Sequence, residues 1–169
     1  MATHPIRMGI MSRQEAAGQH PDAMLSIVDP GESPASWASH QMTLEMHDLD
    51  EPEPSRPDLI APNREHARKI ADFAREIEGL AQDRPLTVIV HCSAGISRSP
   101  AAAIGVLAAL HPDRGPDWAR QRVDRMTHGT AEPNQGLLKA LDAELGWSER
   151  ERTADTKPAR PRKTPQAEI

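Results

Sequence analysis

Residues 86–110 read LTVIVHCSAGISRSPAAAIGVLAAL, and this stretch decides the fold. Residues 86–90 form a short run of apolar and β-branched side chains, the pattern of a central strand covered on both faces. Residues 91–98 are rich in Gly and Ser and read as a loop. Ser99-Pro100 reads as an N-cap followed by proline at the first helical position. Residues 101–110 are apolar on nearly every side, which predicts a buried helix. A buried strand passing through a tight loop into a buried helix is a unit of an α/β sheet.

Between such elements, the loop can turn its backbone N–H groups inward as a concave nest for an anion. The start of the following helix adds partial positive charge. Gly95 permits a backbone conformation that a side chain would hinder. Cys92 falls at the bottom of the bowl, where the groups that hold a phosphate also favour a thiolate. Arg98 offers a planar fork for two phosphate oxygens, which lysine could not reproduce, and it counters charge on a transferring group. The candidate phosphate loop is therefore Ser93, Ala94, Gly95, Ile96, Ser97 and Arg98, with Cys92 as nucleophile. An isolated cysteine is more often a small buried hydrophobe. Here His precedes the Cys, Gly follows it by three, Arg by six, and Ser follows the Arg. At average residue usage that combination arises by chance at roughly one position in 10⁵.

The run from His91 to Ser99 is similar to the His-Cys-x5-Arg-Ser/Thr signature of the protein tyrosine and dual-specificity phosphatase superfamily. From about Leu25 to Leu145 the chain resembles a bacterial branch of the tyrosine phosphatases. The matching features are Asp48-Leu49-Asp50-Glu51-Pro52, the helix carrying Asp72-Phe73-Ala74, and the Pro133-Asn134 pair. The signature is the specific part of this resemblance.

The resemblance implies an α/β fold with a central, mostly parallel sheet flanked by helices. It implies hydrolysis of a phosphomonoester through a phosphocysteine: Cys92 attacks phosphorus, and an Asp protonates the leaving oxygen and then activates water. Ser99 hydrogen-bonds the departing sulfur, and His91 orients the loop. No cofactor or metal is implied, because Arg98 and the amides supply the positive charge. The implied substrate is a phosphorylated protein, phosphotyrosine first, or a small phosphomonoester. A binding module without turnover is the main alternative. Another is a phosphatase of phosphoinositides, inositol phosphates or RNA 5′ ends. None of Ser93, Ala94, Ile96 and Ser97 is basic, which weighs against highly charged substrates. A rhodanese-type sulfurtransferase fits the His91 and Ser99 flanks poorly, and the ATP-type phosphate loop is absent.

Three carboxylates compete for the role of general acid. Asp48 directly follows an alternating segment, Met42, Leu44 and Met46, that reads as a strand with one buried face. Related phosphatases place their acid after such a strand. Asp50 would share that side if the strand continued, and Asp58 lies nearer to Cys92 in sequence. Asp48 ranks first, then Asp50, then Asp58. His47 reads as a residue at the strand end, and Trp37 is a candidate pocket wall.

Elsewhere, residues 6–11 and 24–28 read as strands. Ser12 is placed to cap a short helix over 13–18, and Ser33-Pro34 to open a helical turn through Trp37. Residues 48–62, rich in Pro and acids, read as a loop. Asn63 caps an amphipathic helix whose inner stripe is Ile70, Phe73, Ala74, Ile77 and Leu80. Pro116 opens another helix to about Met126. Asn134 caps a last one, with Leu137, Leu138, Leu141 and Leu145 inside.

The 169 residues suggest one domain over 1–147 and a charged, Pro-rich tail over 148–169 expected to be disordered. A net charge of −5 makes general nucleic-acid binding a poor expectation. The single cysteine excludes an internal disulfide. No run approaches the roughly 18 apolar residues of a membrane span, and the first residues lack the apolar core of a signal peptide. A cytoplasmic, reducing setting without membrane contact is the expectation.

Overall fold

A computed structural model of the chain describes residues 3–150. Four strands are present among them: β1 (Ile6–Met11), β2 (Ala23–Val28), β3 (His40–Glu45) and β4 (Leu86–His91). They form one sheet in the order β1-β4-β2-β3, and every pairing is parallel. The expected α/β architecture is thus present. Because all strands run the same way, their C-terminal ends share one edge, and Ser12, Asp29, Met46 and Cys92 emerge there together. Ligand sites of open parallel sheets lie outside that edge.

Among the described residues the sheet is joined by the helices α1 (Arg13–Ala16), α2 (Arg64–Leu80), α3 (Arg98–Leu110), α4 (Gly115–Met126) and α5 (Gln135–Leu145). The main core joins one sheet face, through Leu25, Ile27, Val88 and Val90, to the apolar stripes of α2, α3 and α5. The opposite face carries a smaller cluster of Met24, Ile89 and Ala16, covered by α1 and the chain around Ala35 and Ala38. β4 is therefore covered on both sides, as its sequence predicts. α3 is the central helix, and Gly105 sets how closely its neighbours approach. A Cβ there would lie 2.6 Å from Leu141 Cδ2 and 3.1 Å from Ile70 Cγ2.

Several local expectations are corrected. α3 begins at Arg98, with Ser97 at the N-cap, rather than after Ser99. Ser99 is drawn into the interior by the Cys92 sulfur, and Pro100 occupies the third helical position, where the first turn still lacks an acceptor for its N–H. Residues 33–37 form bends without a helical turn, since this segment is held across the sheet edge by contacts to His91 and to residues 16–24. Helix α1 stops at Ala16, short of Gly18. Leu80, assigned to the buried stripe, is 39% exposed, and Ala81 takes the inner place instead. Residues 147–150, most of which fall in the expected tail, make a helical turn. There Ser148 donates from both its N–H and its hydroxyl to Asp142, and Trp147 is buried. The rest of the expected tail lies outside the described residues.

Asp22 closes the other edge of the sheet. Its carboxylate accepts the Thr87 N–H at 2.7 Å and the Thr87 hydroxyl at 2.9 Å, and it pairs with Arg84 at 2.6 Å. These donors, the Thr87 amide above all, hold its pKa down at about 2 from an ordinary 3.8. A depressed carboxylate contributes stability that is present above its unfolded value and lost as the pH falls through its folded one. Asp22→Asn is expected to lower stability by about 1–2 kcal/mol at pH 7, the site being partly open to water. That deficit shrinks as the pH is lowered from about 4 towards 2. Urea unfolding across this range checks the point, and an equal deficit at every pH would contradict it.

Candidate active site

The loop between β4 and α3 starts at Cys92, which is 3% exposed. Its sulfur lies 3.2 Å from the hydroxyl of the fully buried Ser99 and accepts the Gly95 N–H at 3.3 Å. The loop's carbonyls are engaged outward. Ser93 O accepts from Arg13 N at 3.0 Å, Ile96 O from Glu132 N at 2.8 Å, and Ser97 O from Asn134 N at 3.0 Å. A trans peptide plane sets each C=O opposite the next residue's N–H. These bonds therefore turn the N–H groups of Ala94, Ser97 and Arg98 to the inner side, the side of the Cys92 sulfur. Gly95 makes the turn possible at φ +74, and a Cβ there would meet Ser12 N at 2.6 Å. Arg98 is the first residue of α3, so the helix start is aimed at the same bowl.

Arg98 is 5% exposed. Nη1 donates to Asp29 Oδ1 at 2.6 Å and to Met46 O at 2.7 Å, and Nη2 donates to Ser93 Oγ at 3.1 Å. Nε is buried with no hydrogen-bond partner among the described residues. The guanidinium thus keeps Nε–H and one Nη2–H, the side edge of the fork and the geometry for two oxygens of one oxyanion. Arg98 and Cys92 line a cavity of about 620 Å³ whose other walls are the 48–50 loop and residues 132–135.

His91 supports the loop from below. Gln41 Nε2 donates to Ser26 Oγ at 2.9 Å, and Ser26 Oγ lies 2.8 Å from His91 Nε2, which also receives the Ala35 N–H. Nε2 is therefore an acceptor, and Nδ1–H donates to the Cys92 carbonyl at 3.3 Å. Burial pushes the imidazole below its usual range, which keeps this neutral tautomer.

Of the candidate acids, Asp48 and Asp50 reach the cavity. Asp58 does not line it and is paired with Arg56. Asp48 Oδ1 accepts from Ser97 Oγ at 2.7 Å and from Asn134 Nδ2 at 2.8 Å, so Oδ1 is pinned while Oδ2 has no partner among the described residues. Asp50 Oδ1 instead accepts the Gln135 N–H at 3.0 Å, at the start of α5. His47 Nδ1 accepts the Ile60 N–H at 2.8 Å and holds the loop, and Trp37 is 66% exposed and stands away from the cavity. Among the described residues, no three His, Cys, Asp or Glu side chains are grouped to hold a metal.

No family model and no curated protein matches the chain in sequence. Solved structures match it in fold. Human DUSP28 superposes with a TM-score of 0.63 at 15% identity, covering 85% of this chain and 94% of its own. PTPMT1 gives 0.56 at 16% identity over 90% and 96% of the two chains. DUSP15 gives 0.53 at 20% identity over 81% and 80%. The fold is that of the dual-specificity phosphatases. Within the dual-specificity phosphatase fold of this chain, the Cys92 loop lies at the C-terminal sheet edge, with its sulfur and its guanidinium facing one cavity.

Three contributors escape the sequence reading. Asp29, the residue directly after β2, clamps Arg98; its position at the end of a parallel strand was the available signal. Ser26 is the one hydroxyl inside the otherwise apolar strand Ala23–Val28, and that irregularity marks it. Glu132 carries no local signal. Asp29→Ala is expected to free the guanidinium and weaken binding of inorganic phosphate about tenfold, or ~1.4 kcal/mol. Isothermal titration at pH 7 reads this, and unchanged affinity would remove Asp29 from the clamp.

Proposed function

We propose that this chain is a cysteine phosphatase that hydrolyses phosphomonoesters, most simply phosphotyrosine on proteins, through a phosphocysteine. The observation that carries the reading is the buried Cys92 sulfur at the base of a cavity lined by Arg98, whose fork keeps one edge unbonded. Cys92 attacks phosphorus; an S–P bond forms as the bond to the leaving oxygen breaks. The Asp48 carboxyl gives its proton to that oxygen. Asp48 then takes a proton from water as the water attacks phosphorus, and the S–P bond breaks with its electron pair returning to sulfur. Ser99 donates a hydrogen bond to the departing thiolate. Arg98 and the loop amides hold the equatorial oxygens in both steps. The pinned Oδ1 and unbonded Oδ2 of Asp48 support it as the acid over Asp50, which acts as a cap for α5. His91 fixes the Cys92 carbonyl and hence the loop.

The resemblance of the flanking segments supports a bacterial branch for this reading, and a single thiol nucleophile suits a reducing, cytoplasmic setting. Turnover of p-nitrophenyl phosphate is the first test. Cys92→Ser should cut kcat by about 10³-fold or more while inorganic phosphate still binds. Asp48→Asn should lower kcat by about 10²-fold and remove the alkaline limb of the pH profile. Asp50→Asn should cost less than about tenfold. Full activity in Cys92→Ser refutes the mechanism, and tight phosphopeptide binding by the wild type without turnover replaces it with a binding module.

A further inference from the structure

The charges around the cavity carry a conclusion about the substrate, which rests on the phosphatase reading above. The buried Arg98, which lines the cavity and whose Nε has no partner among the described residues, fixes where the phosphate sits. That guanidinium is already matched by the Asp29 carboxylate at 2.6 Å. Three further carboxylates, Asp48, Asp50 and Glu132, line the same cavity, and Arg98 is the one Lys or Arg among its described lining residues. Even with Asp48 protonated for its role as acid, a phosphate dianion enters a site whose side chains are net negative. The loop amides and the helix start bind the phosphate itself, but they do nothing for charge further out on the substrate.

Glu132 and Asp50 line the cavity at separate points of the 132–135 segment: Glu132 N–H is bound to Ile96 O, and Asp50 Oδ1 accepts the Gln135 N–H at the start of α5. Beyond Asp50 a second concavity of about 380 Å³ continues past Glu51, Pro52 and Lys139. Asp50 lines both spaces, so the surface suits an extended ligand lying across the phosphate pocket. Ile96 is exposed at the rim and offers apolar contact to the phosphorylated side chain.

We infer that the substrate is a phosphorylated protein segment carrying Arg or Lys beside the phosphorylated residue, with Glu132 and Asp50 receiving those cations. Polyanionic substrates such as inositol phosphates or RNA 5′ ends meet like charge at the same positions. Lys139 lies further along and is outnumbered there by Asp50 and Glu51.

The test compares two phosphotyrosine peptides that differ only in Arg against Glu on either side of the phosphorylated residue. The wild-type enzyme is used, with p-nitrophenyl phosphate run in parallel. kcat/KM is expected to favour the Arg peptide by about tenfold or more, and the ratio should contract when about 0.5 M KCl screens the rim. Glu132→Lys should shrink the ratio several-fold. Equal rates, preference for the Glu peptide, a ratio indifferent to Glu132→Lys, or faster turnover of phosphoethanolamine than of either peptide would overturn the inference while leaving the phosphatase reading intact. Loss of p-nitrophenyl phosphate turnover itself would instead refute that reading, and the inference with it.

Discussion

The site is organised by a buried guanidinium. Taking an arginine out of water costs several kcal/mol unless it is paired and its donors are used. Arg98 meets that requirement for three of its five donors with Asp29 from the end of β2, the Met46 carbonyl just beyond β3, and Ser93 from the loop after β4. Three strand ends must therefore converge on one side chain. A parallel sheet in the order β1-β4-β2-β3 brings β4, β2 and β3 side by side with their C-terminal ends together, so sheet topology and charge burial ask for the same arrangement. The two donors left over share one edge of the fork, which gives the cavity its polarity.

The 48–50 loop is tied down by the distant helix α5. Asn134 accepts the Leu137 N–H as the helix cap, donates to Asp48 and to the Leu49 carbonyl, and offers its own N–H to Ser97 O. Gly136 allows the close approach this needs, since a Cβ there would lie 2.4 Å from Asp50 O. The two acids consequently do different work although they are two residues apart. Asp50 faces the helix start, where a carboxylate is favourable. Asp48 faces the phosphate loop with one oxygen held and the other unbonded.

Features governed by local chemistry were legible in the sequence. The strand, loop and buried helix of residues 86–110 follow from composition and order, and the caps Asn63 and Asn134 from side-chain chemistry within three residues of each helix start. The failures have the opposite character. Ser99 has the local signature of a cap, yet the sulfur of Cys92 outcompetes the helix end for its hydroxyl. Residues 33–37 have a local helical signal but are held across the sheet edge by His91 and by residues 16–24. Asp29 and Glu132 gain their places only because strand order and the 131–135 segment carry them to the loop. No periodicity within a short window encodes that.

The support beneath Cys92 shows how register and site geometry are coupled. Gln41 on β3, Ser26 on β2 and His91 on β4 form a row of polar side chains across three strands, on the sheet face away from the main core. Buried polar groups are tolerable when every member finds a partner, and costly when one does not. A slip of one residue between β2 and β4 would move Ser26 to the other face and leave His91 Nε2 without its hydroxyl. The correct register is thus favoured over its neighbours by the same row that sets the imidazole tautomer and fixes the Cys92 carbonyl. The position of the sulfur follows from that register, so a substitution in the row should disturb strand pairing and the phosphate loop together.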